Sequence, residues 1–273
     1  MCLGMTAAAW HETQKAVQQD TRRDFDYQAR RIETLLQQRM ATYEQLLRGA
    51  QGFMGGRTGV DRGDLAGYVG TLRLEESFPG IQGIAIAELL PESQRQARVA
   101  ALRAQGLPGF AVRPDGERPV YSAIVQSEPA NRMTLRALGY DMLTDPVRRA
   151  AMERARDSGV AALTGRLRLV QEGPVDAQNG VIVYLPVYGR GLPVATMAER
   201  RTSLVAWIGG PFRMADLMRG LLGDLRLQIF DGDGADEQQR LYDSAAGGEG
   251  PARPLLEMTR RVRIADREWI LAI

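Results

Sequence analysis

Cysteine and histidine, which form disulfides and many metal sites, are scarce in this 273-residue sequence. Cys2 is its single cysteine and His11 its single histidine, so an intramolecular disulfide and a cysteine-rich metal site are excluded. Lys15 is the single lysine, and 35 basic residues against 33 acidic ones leave a net charge of +2. Because this balance leaves no large excess of positive charge to bind phosphates, we expect no nucleic-acid partner.

Long hydrophobic runs are also missing, since no stretch of about 18 apolar residues is long enough to span a bilayer. The short apolar opening, residues 1–10, is consistent either with the tail of a membrane helix or with a loose N-terminus. A composition of 44% hydrophobic and 25% charged residues predicts a globular protein with a buried core.

Motifs that would indicate catalysis are incomplete. His11-Glu12 begins like a zinc-protease helix, but the second ligand position is Lys15. Asp231-Gly232-Asp233-Gly234 resembles a calcium loop but has Asp236 where glycine is required, and we interpret it as a hairpin turn. We therefore expect no catalytic residue, no metal and no cofactor.

Residues 11–53 predict one long helix, because they lack proline, have no glycine before Gly49 and are rich in strong helix formers. An apolar stripe with mostly three- and four-residue spacings runs along it: Phe25, Ala29, Ile32, Leu36, Tyr43 and Leu47. Such a stripe suits either a stalk that pairs with a second copy or a helix packed on its own domain, and we favour the stalk.

The rest of the chain predicts an α+β fold with two tandem PAS-like lobes whose sheets are antiparallel. We place the stalk helix in residues 1–55, a larger lobe in 56–190 and a smaller lobe in 191–273. The predicted helices span residues 91–105, 146–158 (capped by Asp145 and followed by Gly159) and 211–222. The predicted strands span residues 81–88, 120–125, 164–170, 181–187, 204–208, 225–230, 240–242, 256–264 and 269–273.

Three segments in a fixed order carry a family resemblance. They are Phe78-Pro79-Gly80-Ile81-Gln82-Gly83-Ile84, Leu138-Gly139-Tyr140-Asp141 and Tyr184-Leu185-Pro186-Val187-Tyr188. Together they resemble the CHASE family of extracytoplasmic sensory domains, which precede histidine kinases and nucleotide cyclases. The resemblance implies a stalk helix, a membrane-distal lobe that binds ligand and a membrane-proximal lobe.

What the resemblance implies for function is a periplasmic, ligand-sensing part of an inner-membrane receptor, and no enzyme in this chain. The expected partners are a small-molecule ligand of unknown identity and a second copy bound through the stalk. Membrane attachment through flanking helices and a cytoplasmic histidine kinase or diguanylate cyclase output are also expected.

The family's pocket maps onto nine residues of the larger lobe: Arg118, Tyr121, Ala123, Leu138, Tyr140, Asp141, Thr164, Tyr184 and Tyr188. Aromatic walls with a few polar groups suit a planar or apolar ligand. Each residue also has a structural interpretation: the tyrosines as core or edge residues, Asp141 as a helix or turn cap, and Thr164 as a sheet residue.

Pro119 is a departure from the family pattern. The plant-type receptors that bind cytokinin have an aspartate at this place, which holds the adenine edge. Proline offers no side-chain acceptor and removes a backbone donor, so an adenine-type ligand is disfavoured. Two other functions stay open from the sequence: a soluble enzyme with an unrecognised carboxylate site, and a ligand-free dimerisation module.

Overall fold

A 54-residue helix forms one side of the protein. The computed structural model describes residues 2–55, 62–172, 178–245 and 255–273. Helix α1, Cys2–Gly55, is roughly 80 Å long at 1.5 Å per residue. It contains the whole predicted helix, residues 11–53, including Gly49 and Gly52, and extends beyond it at both ends. The predicted boundary after residue 55 falls beside residues 56–61, which lie outside the described part.

The apolar stripe of α1 packs against the protein's own sheets from Ala29 onward. Tyr43 stacks on Phe212, with ring centroids 5.2 Å apart. Nearer the N-terminus, the Arg260 guanidinium pairs with the Glu33 carboxylate at 2.6 Å. The buried positions of the helix are Ala29, Ile32, Leu36, Met40, Tyr43, Leu46, Leu47 and Ala50. Most of the predicted stripe thus covers the domain itself, whereas all side chains from residue 10 to residue 24 are exposed.

The larger sheet has the strand order β2-β1-β6-β5-β3, with β4 also paired to β5, and all of these pairings are antiparallel. Its strands are β1 Ile84–Pro91, β2 Val120–Glu128, β3 Ala162–Leu163, β4 Leu167–Arg168, β5 Asn179–Tyr188 and β6 Leu204–Arg213. The helices attached to it are α2 Arg62–Leu72, α3 Leu74–Ser77, α4 Glu92–Ala104, α5 Pro146–Ser158, α6 Met197–Ser203 and α7 Met214–Leu217.

Strand β6 corrects two sequence predictions. The division after residue 190 assigns it to the smaller lobe, yet it lies between β1 and β5 in the larger sheet. From Ala206 to Phe212 its residues are buried on both faces of that sheet, as expected for a strand in a sheet that is covered on both sides. The predicted helix over residues 211–222 is also wrong, because Pro211 and Phe212 continue the pairing with β5 and helix α7 has only four residues.

The two faces of the larger sheet have different covers. One face packs against α1 through residues such as Val183, Ile208 and Phe212. The other packs against α5, where the Trp207 indole nitrogen donates to the carbonyl of Met152 at 2.9 Å. Helix α5 matches its sequence prediction, with Asp145 as its N-cap and Gly159 as a left-handed C-cap with φ 77°.

The smaller sheet has the order β8-β7-β10-β9, again with antiparallel pairings. Its strands are β7 Gln228–Asp231, β8 Arg240–Asp243, β9 Thr259–Ile264 and β10 Arg267–Ala272. Its buried side chains, including Ile229, Val262 and Trp269, join the same core as the stripe of α1. The predicted α+β fold with a long N-terminal helix and antiparallel sheets is confirmed.

Candidate ligand site

A small cavity lies between the larger sheet and a cover, which consists of α5 and the cover segment before it, residues 134–145. It offers about 20 Å³ to the centres of water molecules, which is room for one or two waters. Its walls are mostly apolar, with three polar side chains. The lining residues are Ala85, Ile124, Ser127, Ala137, Met142, Arg148, Val170, Gln171, Ile182, Gly209 and Pro211.

Arg148 is the charged residue of the cavity wall, and only 2% of it is exposed. One terminal nitrogen of its guanidinium pairs with the Asp145 carboxylate, and the other donates to the carbonyl of Arg168 at 2.7 Å. Its Nε–H has no hydrogen-bond partner among the described residues. A buried donor without an acceptor is costly, so this nitrogen marks a place where an acceptor would be stabilising.

Asp145 holds Arg148 while it caps α5. Its Oδ1 accepts hydrogen bonds from the backbone N–H groups of Val147 at 2.9 Å and Arg148 at 3.0 Å. Its side chain is 25% exposed, against 3% for that of Arg148. Water therefore reaches the carboxylate of this ion pair much more than it reaches the guanidinium.

The cover over the cavity is fixed to strand β2 by backbone hydrogen bonds. Gly139 donates to the carbonyl of Ile124 at 2.8 Å, and Ile124 donates to the carbonyl of Tyr140 at 3.1 Å. Gly139 has φ 79°, and a Cβ there would lie 2.0 Å from the carbonyl oxygen of Ala111, so only glycine fits. These contacts place Ala137 and Met142 over the cavity.

Comparison with known proteins identifies the family. A family model described as CHASE domain matches residues 58–242, about two thirds of the chain. The chain belongs to the CHASE domain family. It is therefore a sensor domain that works outside the cytoplasm, as the sequence predicts. No helix in the described residues is sufficiently long and apolar to cross a membrane.

A solved structure of a bacterial chemoreceptor domain shares the fold. The periplasmic sensory domain of the Campylobacter jejuni chemoreceptor Tlp1 is 11% identical, with a TM-score of 0.50 over 88% of this chain and 90% of that one. The ligand-binding domain of the Pseudomonas aeruginosa amino acid chemoreceptor PctC, in complex with GABA, is 13% identical, with a TM-score of 0.49 over 87% and 92%.

None of the nine predicted site residues of this CHASE domain lines the cavity. Three of them lie near the outer edge of the larger sheet. The Arg118 guanidinium lies over the Tyr121 ring, 4.8 Å from its centroid. Tyr121 and Ala123 belong to the core on the α1 side of the sheet. The carbonyl of Pro119 accepts a hydrogen bond from the first residue of α4, Glu92, at 3.1 Å.

Asp141 is fully buried and makes structural contacts. Its Oδ1 accepts from the backbone N–H groups of Ser122 at 2.8 Å and Leu143 at 3.1 Å. Its Oδ2 lies 3.0 Å from Nε of Arg118. It thus caps the short 3-10 turn Met142–Thr144 and ties that turn to β2.

Tyr140 and Tyr184 contact residues that line the cavity. The Tyr140 ring faces the Arg148 guanidinium at 5.4 Å. The hydroxyl of Tyr184 donates to Sδ of Met142 at 3.6 Å, and burial raises the pKa of Tyr184 well above its usual value. Both side chains therefore support the cavity wall from outside.

Leu138, Thr164 and Tyr188 do not meet at the cavity. Leu138 lines a separate open groove beside Phe110. The Thr164 hydroxyl accepts from the backbone N–H of Ile182 at 2.9 Å, which extends the sheet pairing. The Tyr188 hydroxyl donates to the carbonyl of Arg156, in the last turn of α5, at 2.7 Å.

The polar residues of the cavity, Ser127, Arg148 and Gln171, are absent from the sequence prediction. Arg148 carries a signal that could have found it. It shares an i, i+3, i+4, i+7 stripe with the buried residues Ala151, Met152 and Ala155. An arginine on the apolar face of an amphipathic helix is a buried charge, and buried charges need partners.

Proposed function

We propose that this sensor domain binds a small molecule in the cavity beneath α5. In this proposal, the signal passes through the smaller sheet to membrane helices and a cytoplasmic histidine kinase or diguanylate cyclase. The observation that carries the proposal is Arg148, a buried guanidinium in a cavity wall with one N–H lacking an acceptor. Pockets that combine apolar walls with a few polar groups are typical of ligand sites.

Helix α5 offers a direct route from the cavity to the smaller sheet. Arg148 lies in its first turn, and Arg154 follows further along the same helix. Nε of Arg154 donates to Oδ2 of Asp266 at 2.7 Å, and Oδ1 of Asp266 accepts from the backbone N–H of Leu163 at 2.7 Å. Asp266 lies in the turn between β9 and β10, so a shift of α5 acts on the last strand.

Signalling requires an equilibrium between two arrangements of the domain. A ligand shifts that equilibrium only if it binds the two arrangements with different affinities. We propose that the arrangements differ in the position of α5 and the cover segment. The exposed part of α1 then pairs with a second copy and carries the difference toward the membrane.

A paired substitution on β1 tests the proposal. Ala85 lines the cavity, whereas Ala87, also buried against the same cover, does not. In thermal-shift and calorimetric titrations with a metabolite panel, a binder is expected to stabilise the wild type and Ala87→Val. It should bind Ala85→Val at least ten-fold more weakly, because the added methyl groups occupy the cavity. Absence of any binder, or equal binding to both variants, would contradict the proposed site.

A further inference from the structure

We infer that the ligand of this cavity is a small carboxylate whose oxygens accept from Nε of Arg148. The inference rests on the proposed function and adds the chemical class of the ligand. It starts from the donors that the cavity presents and from the partners that Arg148 already has.

The polar groups of the cavity wall favour an acceptor. Arg148 can only donate, Ser127 carries a hydroxyl and Gln171 an amide. No aspartate or glutamate among the described residues lines the cavity. Since the Nε–H of Arg148 is both buried and without a partner, a ligand oxygen placed there replaces an unsatisfied donor with a charge-assisted hydrogen bond.

A second negative charge beside Arg148 is tolerated because the Asp145 carboxylate can be solvated by water instead. The Asp145 side chain is 25% exposed, and Asp145 retains the backbone N–H groups of Val147 and Arg148 as donors. The guanidinium is almost completely enclosed and has no access to solvent as an alternative. A carboxylate in the cavity therefore competes with Oδ2 of Asp145 for Arg148, or shares the guanidinium with it.

The size of the cavity restricts the ligand to a few heavy atoms. Room for one or two waters matches the carboxylate group alone. A two- or three-carbon acid also needs Met142 to shift, and methionine is the adaptable side chain of the cover. On the sheet side, a Cβ at Gly209 would lie 3.2 Å from the Tyr184 ring, so there is little spare space beside Gly209.

The test is calorimetric titration of this chain, in a buffer without carboxylates, with acetate and propionate. Acetamide and ethylammonium serve as neutral and cationic probes of similar size. We expect acetate or propionate to bind, and acetamide to bind at least ten-fold more weakly, since one charge-assisted hydrogen bond distinguishes them. Equal binding of acetamide would overturn the carboxylate inference.

Three variants locate the binding. Arg148→Lys keeps the charge but has no Nε–H, and we expect about ten-fold weaker acetate binding. Ser127→Ala should also weaken binding, whereas its matched control on the same strand, Ser122→Ala, should not, because Ser122 is buried but does not line the cavity. If Arg148→Lys does not fold, the serine pair decides. Unchanged acetate binding in Ser127→Ala and Arg148→Lys would overturn the inference.

The outcomes also separate this inference from the proposed function. If a neutral or cationic panel member binds and Ala85→Val blocks it, the cavity is a ligand site and only the carboxylate assignment is wrong. If no molecule of the panel binds, and neither acetate nor propionate binds, both are wrong.

Discussion

Asp141 shows how one buried residue can hold a loop against a sheet. Its two oxygens face two backbone donors and one guanidinium, and none of it is exposed. The segment that it anchors carries Met142, which covers the cavity. Asp141 therefore shapes the ligand site without lining it.

Substitution of Asp141 is expected to cost stability. Asp141→Ala leaves two backbone N–H groups without their acceptor and removes the ion pair with Arg118, so we expect the free energy of unfolding to fall by about 3 kcal/mol. Asp141→Asn keeps an oxygen for the backbone donors but loses the ion pair, and we expect about half of that loss. Urea denaturation followed by circular dichroism measures both.

The control for Asp141 is Asp233→Asn. The Asp233 side chain is 95% exposed and its nearest cation is 3.8 Å away, so its substitution should change stability by less than about 0.5 kcal/mol. An Asp141→Ala variant as stable as this control would contradict the structural role of Asp141.

Residue types explain which parts of the site the sequence could predict. Tyrosine and threonine are reasonable pocket candidates from sequence alone. In the structure, however, Tyr121 faces the α1 side of the sheet, and the Thr164 hydroxyl accepts a hydrogen bond from the backbone of β5. The side of a sheet that a residue faces depends on long-range pairing, and β2 and β1 have an irregular register near Ile86. Arg148 was detectable only by its place on the buried stripe of α5.

At the scale of elements, local signals were reliable where capping residues fix both ends. Asp145, Pro146 and Gly159 determine α5 through capping and backbone preference, so its prediction agrees with the structure. Strand β6 had no comparable local signal. Its place in the sheet depends on pairing with two other strands. One is β5, which precedes it in the chain, and the other is β1, which lies more than one hundred residues earlier.

The contact between α5 and the turn before β10 is expected to carry the signal. In Arg154→Ala, the link to Asp266 is lost, but Leu163 still donates to that carboxylate. Because the Arg154 side chain is 41% exposed, we expect only a small loss of stability. In the wild type, a ligand should slow amide exchange in both α5 and β10. In Arg154→Ala, the same ligand should slow exchange in α5 but not in β10.

Hydrogen exchange with mass spectrometry measures this coupling, and Arg263→Ala on the neighbouring strand β9 is the control. Arg263 is exposed and its guanidinium contacts only the carbonyl of Ala265 among the hydrogen bonds of the described residues. Ligand protection of β10 that persists in Arg154→Ala would exclude this contact as the route.

On the scale of the whole molecule, α1 joins both sheets into one core and then extends beyond them. Its stripe packs on the larger sheet through Leu47 and on the smaller one beside Arg260. From residue 10 to residue 24 all side chains of the helix are exposed, and Trp10 and Val17 are 67% and 59% exposed. These two residues are seven apart, the spacing that places side chains on the same face of a paired helix.

We therefore predict that the uncovered part of α1 forms the dimer contact. Val17→Asp places a charge in that contact and should weaken self-association at least ten-fold in sedimentation velocity over a concentration series. Gln19→Asp adds the same charge two residues away, on a different face of the helix, and should leave association unchanged. At a protein concentration too low for self-association, both variants should unfold at the same urea concentration as the wild type, because neither site contacts the core. Equal self-association of both variants, or a wild type that stays monomeric at high concentration, would show that α1 serves only to join the two sheets.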